Sequence, residues 1–363
     1  MDWKKSVGQL FFIGIPGPEL DASTRELLSE VQPGGVCLFA RNIRSAVQTR
    51  ELLEGLRELL PAEPLLSVDQ EGGLVDRLRR IAAPMPAPSK LRSPADAARL
   101  GSLIASALRI LGFNMNFAPV VDVIDTGRDG VQNGLQTRNL GASREDVVDH
   151  AAAFLSALEA GGILGCLKHF PGLGASSVDS HDELPSVEIT YDELESVDLF
   201  PYRELLRSDP SLSVMIAHAA YPNTGLQETD QNGKLLPSSL SSSVVSGLLR
   251  NTLGFTGLTI TDDLEMGAIV RNYGIGEASK MALNAGVDML AICADPGAIR
   301  EGFAAVSAAA ATGEISAERF ESSLLRIERH REFLSTPVEF DESALDLLSD
   351  EIKRFAADLD KER

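Results

Sequence analysis

The feature that most constrains the fold of this chain is a regular alternation of short apolar segments with longer segments of helical periodicity. Each apolar segment is rich in β-branched residues and nearly unbroken, which is typical of strands buried on both faces of a parallel sheet. The eight predicted strands are Leu10–Ile15, Gly35–Phe39, Leu65–Asp69, Met115–Pro119, Leu164–His169, Val214–His218, Leu258–Asp262 and Val287–Ile292.

The segments between these strands have the apolar spacing of helices. They include Asp21–Val31, Ala46–Leu60, Pro94–Leu111, Arg144–Ala160, Ser241–Leu253 and Gly276–Ala285. Eight strand–helix repeats predict an α/β fold, specifically a closed (β/α)8 barrel of the TIM type. An open doubly wound sheet is the alternative, but the turn GIPGPEL after the first strand lacks the G-x-G-x-x-G pattern of such folds.

The length of 363 residues is large for one hydrophobic core but common for barrels of this kind. Residues 1–335 are therefore predicted to form a single catalytic barrel domain. Residues 336–363 are charged, and ALDLLSDEIKRFAADL has helical spacing, which predicts a helical extension packed on the barrel or, alternatively, an oligomer contact. The sequence leaves the oligomeric state open and is compatible with a monomer.

Charge limits the possible partners of the chain. It has 53 Asp and Glu against 33 Lys and Arg, a formal net charge of −20, so nucleic acid and anionic membrane surfaces are not expected partners. No apolar run approaches the ~20 residues that cross a bilayer. The three cysteines, Cys37, Cys166 and Cys293, lie in apolar stretches and are predicted to be reduced core residues. We expect a cytoplasmic protein.

Polar and ionisable residues recur where the predicted strands end. In a barrel these side chains would meet at one mouth, where such a cluster is costly to bury unless a polar ligand uses it. Each alone could equally be a helix cap or loop anchor. The residues are Asp69, Asp122, Lys168, His169, His218 and Asp262.

Three long loops rich in Gly, Asn, Ser, Asp or Pro follow strands: Asp125–Gly141, Pro171–Asp192 and Pro222–Ser238. The second contains Asp179 and His181, two positions apart. In extended backbone, residues at this spacing project to the same side, so the carboxylate can orient the imidazole and support its charged form. Asp179 and His181 are therefore a candidate proton-transfer group of a catalytic site.

Asp262 is the candidate for the second catalytic group. It ends the strand in GLTITDDLEMG, and we expect it to face the mouth while the adjacent Asp263 caps the following helix. Retaining glycoside cleavage needs an ionised carboxylate that attacks the anomeric carbon and a second group that transfers a proton. Asp262 fits the first role, and His181 fits the second because imidazole titrates near neutrality.

Two other chemistries could use the same residues. Lys168 could form a Schiff base, as in barrel aldolases, but this needs a desolvated, neutral lysine. His169, His181, His218 and Asp262 could bind a metal, as in barrel amidohydrolases, but neither H-x-H after the first strand nor H-E-x-x-H occurs. We therefore expect neither a metal nor a cofactor.

The chain resembles the short, single-domain bacterial β-N-acetylhexosaminidases of glycoside hydrolase family 3, across roughly residues 5 to 335. The motifs are PGGVCLFARNI, VDQEGGLVDRL, NFAPVVDV, KHFPG followed by DSHDELP, VMIAHAAYP, GFTGLTITDDLEMGAI and ALNAGVDMLAIC. KHFPG with DSH at this spacing, together with TDDLEMGA, is a specific combination.

The resemblance implies that Asp262 forms a covalent glycosyl-enzyme intermediate and that His181, paired with Asp179, is the acid/base. It also implies contacts to the hydroxyls and acetamido group of the non-reducing sugar, from Asp69, Arg77, Arg138, Lys168 and His169. The most similar family members are cytoplasmic and release N-acetylglucosamine from N-acetylglucosaminyl-1,6-anhydro-muramyl peptides during cell-wall recycling.

The chain departs from the family at two places near these motifs. Leu173 stands where the family often has the second His of KHFPGHG, and Leu74 stands for the Arg of EGGRV, so both can reshape the pocket. A β-N-acetylglucosaminide phosphorylase, another β-glycosidase and a non-catalytic amino-sugar-binding barrel remain alternatives. β-Glucosidases of the family usually draw the acid/base from a second domain and lack the DSH loop.

Overall fold

The computed structural model describes residues 6–125, 127–128, 134–176, 184–206 and 211–361. Ten strands lie in these ranges, and eight of them occupy the eight predicted positions. In chain order they are β1 (Phe11–Gly14), β2 (Gly35–Leu38), β3 (Leu65–Val68), β4 (Gln70–Gly72), β5 (Val75–Asp76), β6 (Met115–Asn116), β7 (Cys166–Phe170), β8 (Ser213–Ile216), β9 (Leu258–Thr261) and β10 (Leu290–Ile292).

Helices separate the strands. They are α1 (Ala22–Val31), α2 (Ala46–Leu59), α3 (Pro94–Leu111), α4 (Arg144–Ala160), α5 (Tyr191–Glu193), α6 (Leu199–Leu205), α7 (Gly267–Val270), α8 (Ile275–Ala285), α9 (Pro296–Thr312), α10 (Ala317–Arg331) and α11 (Glu342–Lys361). Leu194–Asp198 and Ser243–Thr252 are π-helical, and short 3₁₀ turns occur at Gly8–Leu10, Ala40–Asn42, Pro88–Lys90 and Ser238–Leu240.

The principal strands are parallel and form two sheets. The first has the order β10-β1-β2-β3-β6 and the second β7-β8-β9. Single parallel bridges join the edges of the two sheets, one between Met115 and Leu164 and one between Ile260 and Met289. The predicted α/β fold with parallel strands is confirmed.

Local sequence signals explain where the helices begin and end. The hydroxyl of a serine accepts the N–H three residues on at the start of α2, α3, α4 and α10, and Asp21 does the same for α1. Gly112 and Gly286 end α3 and α8 in the left-handed conformation, where glycine has no steric penalty.

The short antiparallel pair β4–β5 was not predicted. Gly72 and Gly73 have φ of 100° and 62°, which permits the tight turn between the two strands. The Asp76 carboxylate accepts hydrogen bonds from the Gln70 side chain and from the N–H groups of Leu78 and Met85. This hairpin directly follows β3 and brings the residues after Asp69 over the carboxyl end of the sheet.

The C-terminal segment forms a helix, as predicted from its apolar spacing. α11 packs on α3 and buries one apolar stripe, composed of Leu345, Leu348, Ile352, Phe355 and Leu359. Polar contacts add to this packing: the Arg92 guanidinium bonds the Leu359 carbonyl, and the Ser349 hydroxyl accepts the Ala83 N–H.

All three cysteines are buried and free, and burial raises the pKa of the Cys166 thiol to about 12. Within the described ranges, none of the helices combines the length and the apolar character that a bilayer-crossing helix requires.

Asp288, just before β10, is a fully buried carboxylate at the amino-terminal side of the sheet. One oxygen contacts Arg250 at 2.7 Å, and the other contacts Arg319 at 3.1 Å and Arg326 at 3.0 Å. Burial alone would raise the pKa of Asp288, but the three guanidinium groups outweigh it and keep the pKa below its usual value. The carboxylate thereby ties α10 to the sheet.

We expect Asp288→Asn to lower the free energy of unfolding by about 3–5 kcal/mol, because three cations would remain around an uncharged amide. Urea denaturation followed by circular dichroism measures this. The control, Asp350→Asn, removes a carboxylate from an exposed pair and should leave the midpoint unchanged. Equal midpoints for wild type and Asp288→Asn would contradict the prediction.

Candidate active site

A pocket of about 250 Å³ lies at the carboxyl ends of the parallel strands. Its volume is close to the lower end of the range of small-molecule sites, about 300–1,000 Å³, and suits one small polar unit. Six of the predicted site residues line it: Asp69, Arg77, Arg138, Lys168, His169 and Asp262. The other two, Asp179 and His181, lie outside the described residues.

Asp262 follows β9 directly. Its N–H donates to the Ile216 carbonyl at 2.9 Å, which fixes the residue against β8, and its Oδ1 accepts the Asp263 N–H at 2.8 Å. Burial would raise the pKa of this carboxyl, but nearby His169, the Asp263 N–H and Lys168 lower it below its usual value. Asp262 is therefore ionised at neutral pH.

The expected role of Asp263 as a helix cap is wrong. It does not cap the following helix: its Oδ1 accepts the Glu265 N–H at 3.0 Å in the turn before α7, whose N-cap is Met266. It also lines the pocket together with Asp262, because β9 ends at Thr261 and strict alternation of side chains ends with it. Burial, together with the charges of Glu265 and Asp262, raises the pKa of Asp263 to about 7.

Lys168, on β7, is 2% exposed. Its ammonium lies 2.7 Å from Asp69 Oδ1 and 2.6 Å from Glu71 Oε1. Burial alone would lower the pKa of Lys168, but the two carboxylates outweigh it and raise the pKa above its usual value. A lysine kept protonated in this way cannot act as an amine nucleophile, which argues against the Schiff-base alternative.

Arg138 forms a bidentate ion pair with Glu71. Nε lies 2.8 Å from Oε2, and Nη2 lies 2.9 Å from Oε1. Burial would raise the pKa of Glu71, but Lys168 and Arg138 lower it to about 2. Glu71 was missed by the sequence analysis, although it lies two residues after Asp69 in VDQEGG. It is 2% exposed and lies behind the pocket, where it fixes both cations.

His169 is oriented by a second buried carboxylate. Its Nδ1 lies 2.7 Å from Asp122 Oδ2, while Asp122 Oδ1 accepts the Leu173 N–H at 2.7 Å. This contact places the Nδ1 proton toward Asp122 and directs Nε2 to the pocket. Leu173 lines the pocket as well, so the departure from KHFPGHG does alter its wall. Leu74, in contrast, is 68% exposed on the hairpin turn.

His218 was singled out at a strand end but does not line the pocket. Both ring nitrogens are engaged: Nδ1 with the Ser239 hydroxyl at 2.7 Å and Nε2 with the Asp263 carbonyl at 3.1 Å. Nε2 therefore carries the proton, and Nδ1 accepts from the hydroxyl. Burial lowers the pKa of His218, so the ring is neutral. Through its contact with the Asp263 carbonyl, the ring stabilises the turn at Asp262 and Asp263.

The family profile described as "Glycosyl hydrolase family 3 N terminal domain" matches residues 3–330. The chain belongs to glycosyl hydrolase family 3. Beta-hexosaminidase A of Pseudoalteromonas piscicida is 33% identical over 85% of this chain and 54% of that protein, so the chain spans about half of its length. Beta-hexosaminidase of Alkalilimnicola ehrlichii is 36% identical over 79% of this chain and 81% of that one.

Solved structures of similar proteins have the same fold. A glycoside hydrolase family 3 β-N-acetylglucosaminidase from Paenibacillus sp. aligns with a TM-score of 0.85 at 31% identity, covering 98% of this chain and 69% of that one. A β-N-acetylhexosaminidase from Beutenbergia cavernae aligns with a TM-score of 0.81 at 27% identity, covering 92% and 99%.

We expect Glu71→Gln to lower the free energy of unfolding by about 3–5 kcal/mol, because Lys168 and Arg138 would lose their shared buried counter-charge. Chemical denaturation at neutral pH measures this. Glu30→Gln, which breaks an exposed pair with Arg300, is the control and should cost less than about 1 kcal/mol.

The same carboxylate predicts a pH dependence. The pKa of Glu71 is about 2 in the folded chain against an ordinary value of 4.5, so its stabilisation is complete above pH 4.5 and is lost as the pH falls toward 2. Wild-type stability should therefore decline between about pH 4.5 and 3 more steeply than that of Glu71→Gln. Parallel denaturant titrations test this, and identical declines would contradict it.

Proposed function

We propose that this family 3 chain is a retaining exo-β-N-acetylglucosaminidase that removes a terminal β-linked N-acetylglucosamine. The observation that carries the proposal is an ionised Asp262 facing a small pocket whose other walls present charged hydrogen-bonding groups. The names of the relatives, β-hexosaminidases and β-N-acetylglucosaminidases, support the choice of sugar.

In this proposal the cluster of Asp69, Lys168 and Arg138 binds the hydroxyls and acetamido group of the terminal sugar, with His169 and Arg77. The charges of Lys168 and Arg138 are already neutralised by contacts with Asp69 and Glu71. The two cations can therefore donate hydrogen bonds to neutral sugar oxygens without attracting a counter-ion. A pocket of about 250 Å³ fits one sugar unit, which supports release from a chain end.

In the proposed first step, the Asp262 carboxylate attacks the anomeric carbon while the bond to the aglycone oxygen breaks. His181, supported by Asp179, gives its proton to that oxygen. In the second step His181 takes a proton from water, the water oxygen attacks the anomeric carbon, and the bond to Asp262 breaks. The sugar is released with its β configuration, and both residues return to their starting state.

The proposal includes the architecture around the site. The two parallel sheets would form one closed (β/α)8 barrel. The bridge Met115–Leu164, between β6 and β7, and the bridge Ile260–Met289, between β9 and β10, support this closure. Residues 1–335 would be the catalytic domain, and residues 336–363 its helical extension. Following the resemblance, the substrate would be a peptidoglycan-derived N-acetylglucosaminyl-anhydro-muramyl fragment in the cytoplasm.

Asp262→Asn should lower kcat for an aryl N-acetyl-β-glucosaminide by about 10⁴-fold or more, because an amide cannot form the glycosyl ester. The measurement is release of the aryl group, with ¹H NMR of the first sugar product to test retention of configuration. Asp192→Asn is the control for an exposed aspartate and should keep wild-type activity. Wild-type turnover by Asp262→Asn, or an inverted first product, would contradict the proposal.

His181→Ala should lose about 10²–10⁴-fold in kcat/KM on substrates with a poor leaving group, since general acid catalysis contributes this much. The loss should be smallest for an activated nitrophenyl leaving group, which needs no proton to depart. A series of aryl aglycones of increasing pKa measures this dependence. Equal losses along the series would rule out the acid role.

A further inference from the structure

The segment that follows β9 contains one extra residue relative to its neighbour β10. The N–H of Thr261 donates to the Met289 carbonyl at 3.0 Å. The next N–H that donates to this strand is that of Leu264, which lies 2.9 Å from the Ala291 carbonyl. A step of three residues therefore matches a step of two, which is the pattern of a β-bulge. Bulges often occur next to active sites, and this one contains Asp263.

The bulge removes the Asp263 N–H from the sheet. In a regular parallel ladder this N–H would donate to the Ala291 carbonyl, which here accepts the N–H of Leu264 instead. The Asp263 N–H donates to Asp262 Oδ1 at 2.8 Å. Among the described residues, no donor contacts the other carboxylate oxygen, Oδ2. Asp262 is thus bound through one oxygen, which leaves Oδ2 for attack on the anomeric carbon.

The other polar groups of Asp263 fix the bulge itself. Its carbonyl accepts the Met266 N–H at 3.0 Å and the Nε2 proton of His218 at 3.1 Å. Its side-chain Oδ1 accepts the Glu265 N–H at 3.0 Å. The N–H that binds Asp262 is therefore positioned by the carbonyl and the carboxyl of the same residue.

The Asp263 carboxyl lines the pocket, and no cation of the described residues lies within ion-pair distance of it. The groups that face it are the carboxylates of Asp262 and Glu265, the neutral His218 ring and the neutral Cys293 thiol. Burial and the two carboxylates raise the pKa of Asp263 to about 7, although the N–H groups of Glu265 and Cys293 oppose this rise. Such titration next to a nucleophile is typical of functional groups.

We infer that Asp263 is a positioning residue for the nucleophile, and that its carboxylate fixes the bulge in the conformation that directs Asp262 Oδ2 toward the sugar. The inference rests on the proposed function, in which Asp262 attacks. An ionised carboxylate accepts the Glu265 N–H in a charge-assisted hydrogen bond, about twice as strong as a neutral one. Protonation weakens this bond, so positioning is best above pH 7 and declines below it.

A merely structural carboxyl would give the opposite pH dependence. The pKa of Asp263 is about 7 in the folded chain against an ordinary value of 3.8, so the folded chain binds this proton more tightly. The stabilisation that results is fully present below pH 3.8 and is lost as the pH rises through about 7. An activity that rises over this interval therefore does not follow from a more stable fold.

The test measures kcat/KM between about pH 5.5 and 8.5 with a nitrophenyl N-acetyl-β-glucosaminide, whose leaving group needs no proton from His181. Wild-type kcat/KM should fall about tenfold as the pH falls through about 7. Asp263→Asn retains an oxygen for the Glu265 N–H but cannot ionise. It should show no such fall, and at pH 8 it should have about one tenth of the wild-type kcat/KM. Asp192→Asn, at an exposed position, is the control and should keep the wild-type profile.

Glu265→Gln tests the same assignment without changing Asp263. It removes one of the two negative charges that raise the pKa of Asp263, so the fall in kcat/KM should move to lower pH. Urea denaturation at pH 8 separates positioning from folding. Asp263→Asn should be at least as stable as wild type there, because wild type then carries the unpaired charge.

Three results would overturn the inference and leave the proposed function intact. They are a wild-type pH profile in Asp263→Asn, an unshifted profile in Glu265→Gln, and a loss of activity in Asp263→Asn that accompanies a loss of stability at pH 8. A wild-type protein that turns over no aryl N-acetyl-β-glucosaminide at any pH would instead overturn the proposed function, and the inference with it.

Discussion

The site depends on one buried carboxylate, Glu71, which lies behind the pocket and contacts two cations that line it. Lys168 approaches from β7 and Arg138 from the loop before α4, and Glu71 is the buried counter-charge that the two cations share. Because Glu71 occupies both cations, the pocket presents donors of fixed position and little net charge. Asp69 completes the cluster from the pocket side.

The two adjacent aspartates at the end of β9 have opposite environments. Asp262 faces His169 and Lys168, which keep its pKa low, whereas Asp263 faces Glu265 and its pKa rises to about 7. Pairs of titratable groups whose environments separate their pKa values are a recurring property of catalytic sites. Here the difference distinguishes a carboxylate that is ionised at neutral pH from one that is only partly so.

The sequence by itself determined the eight parallel strands and the convergence of Asp69, Lys168, His169 and Asp262, because apolar runs and their polar ends are local patterns. Only the tertiary structure decided what lies behind and beside them. The role of Glu71 depends on its contact with Arg138, which is distant in sequence. The position of Asp263 in the pocket wall depends on the residue at which β9 ends. The local spacing of residues predicts neither property.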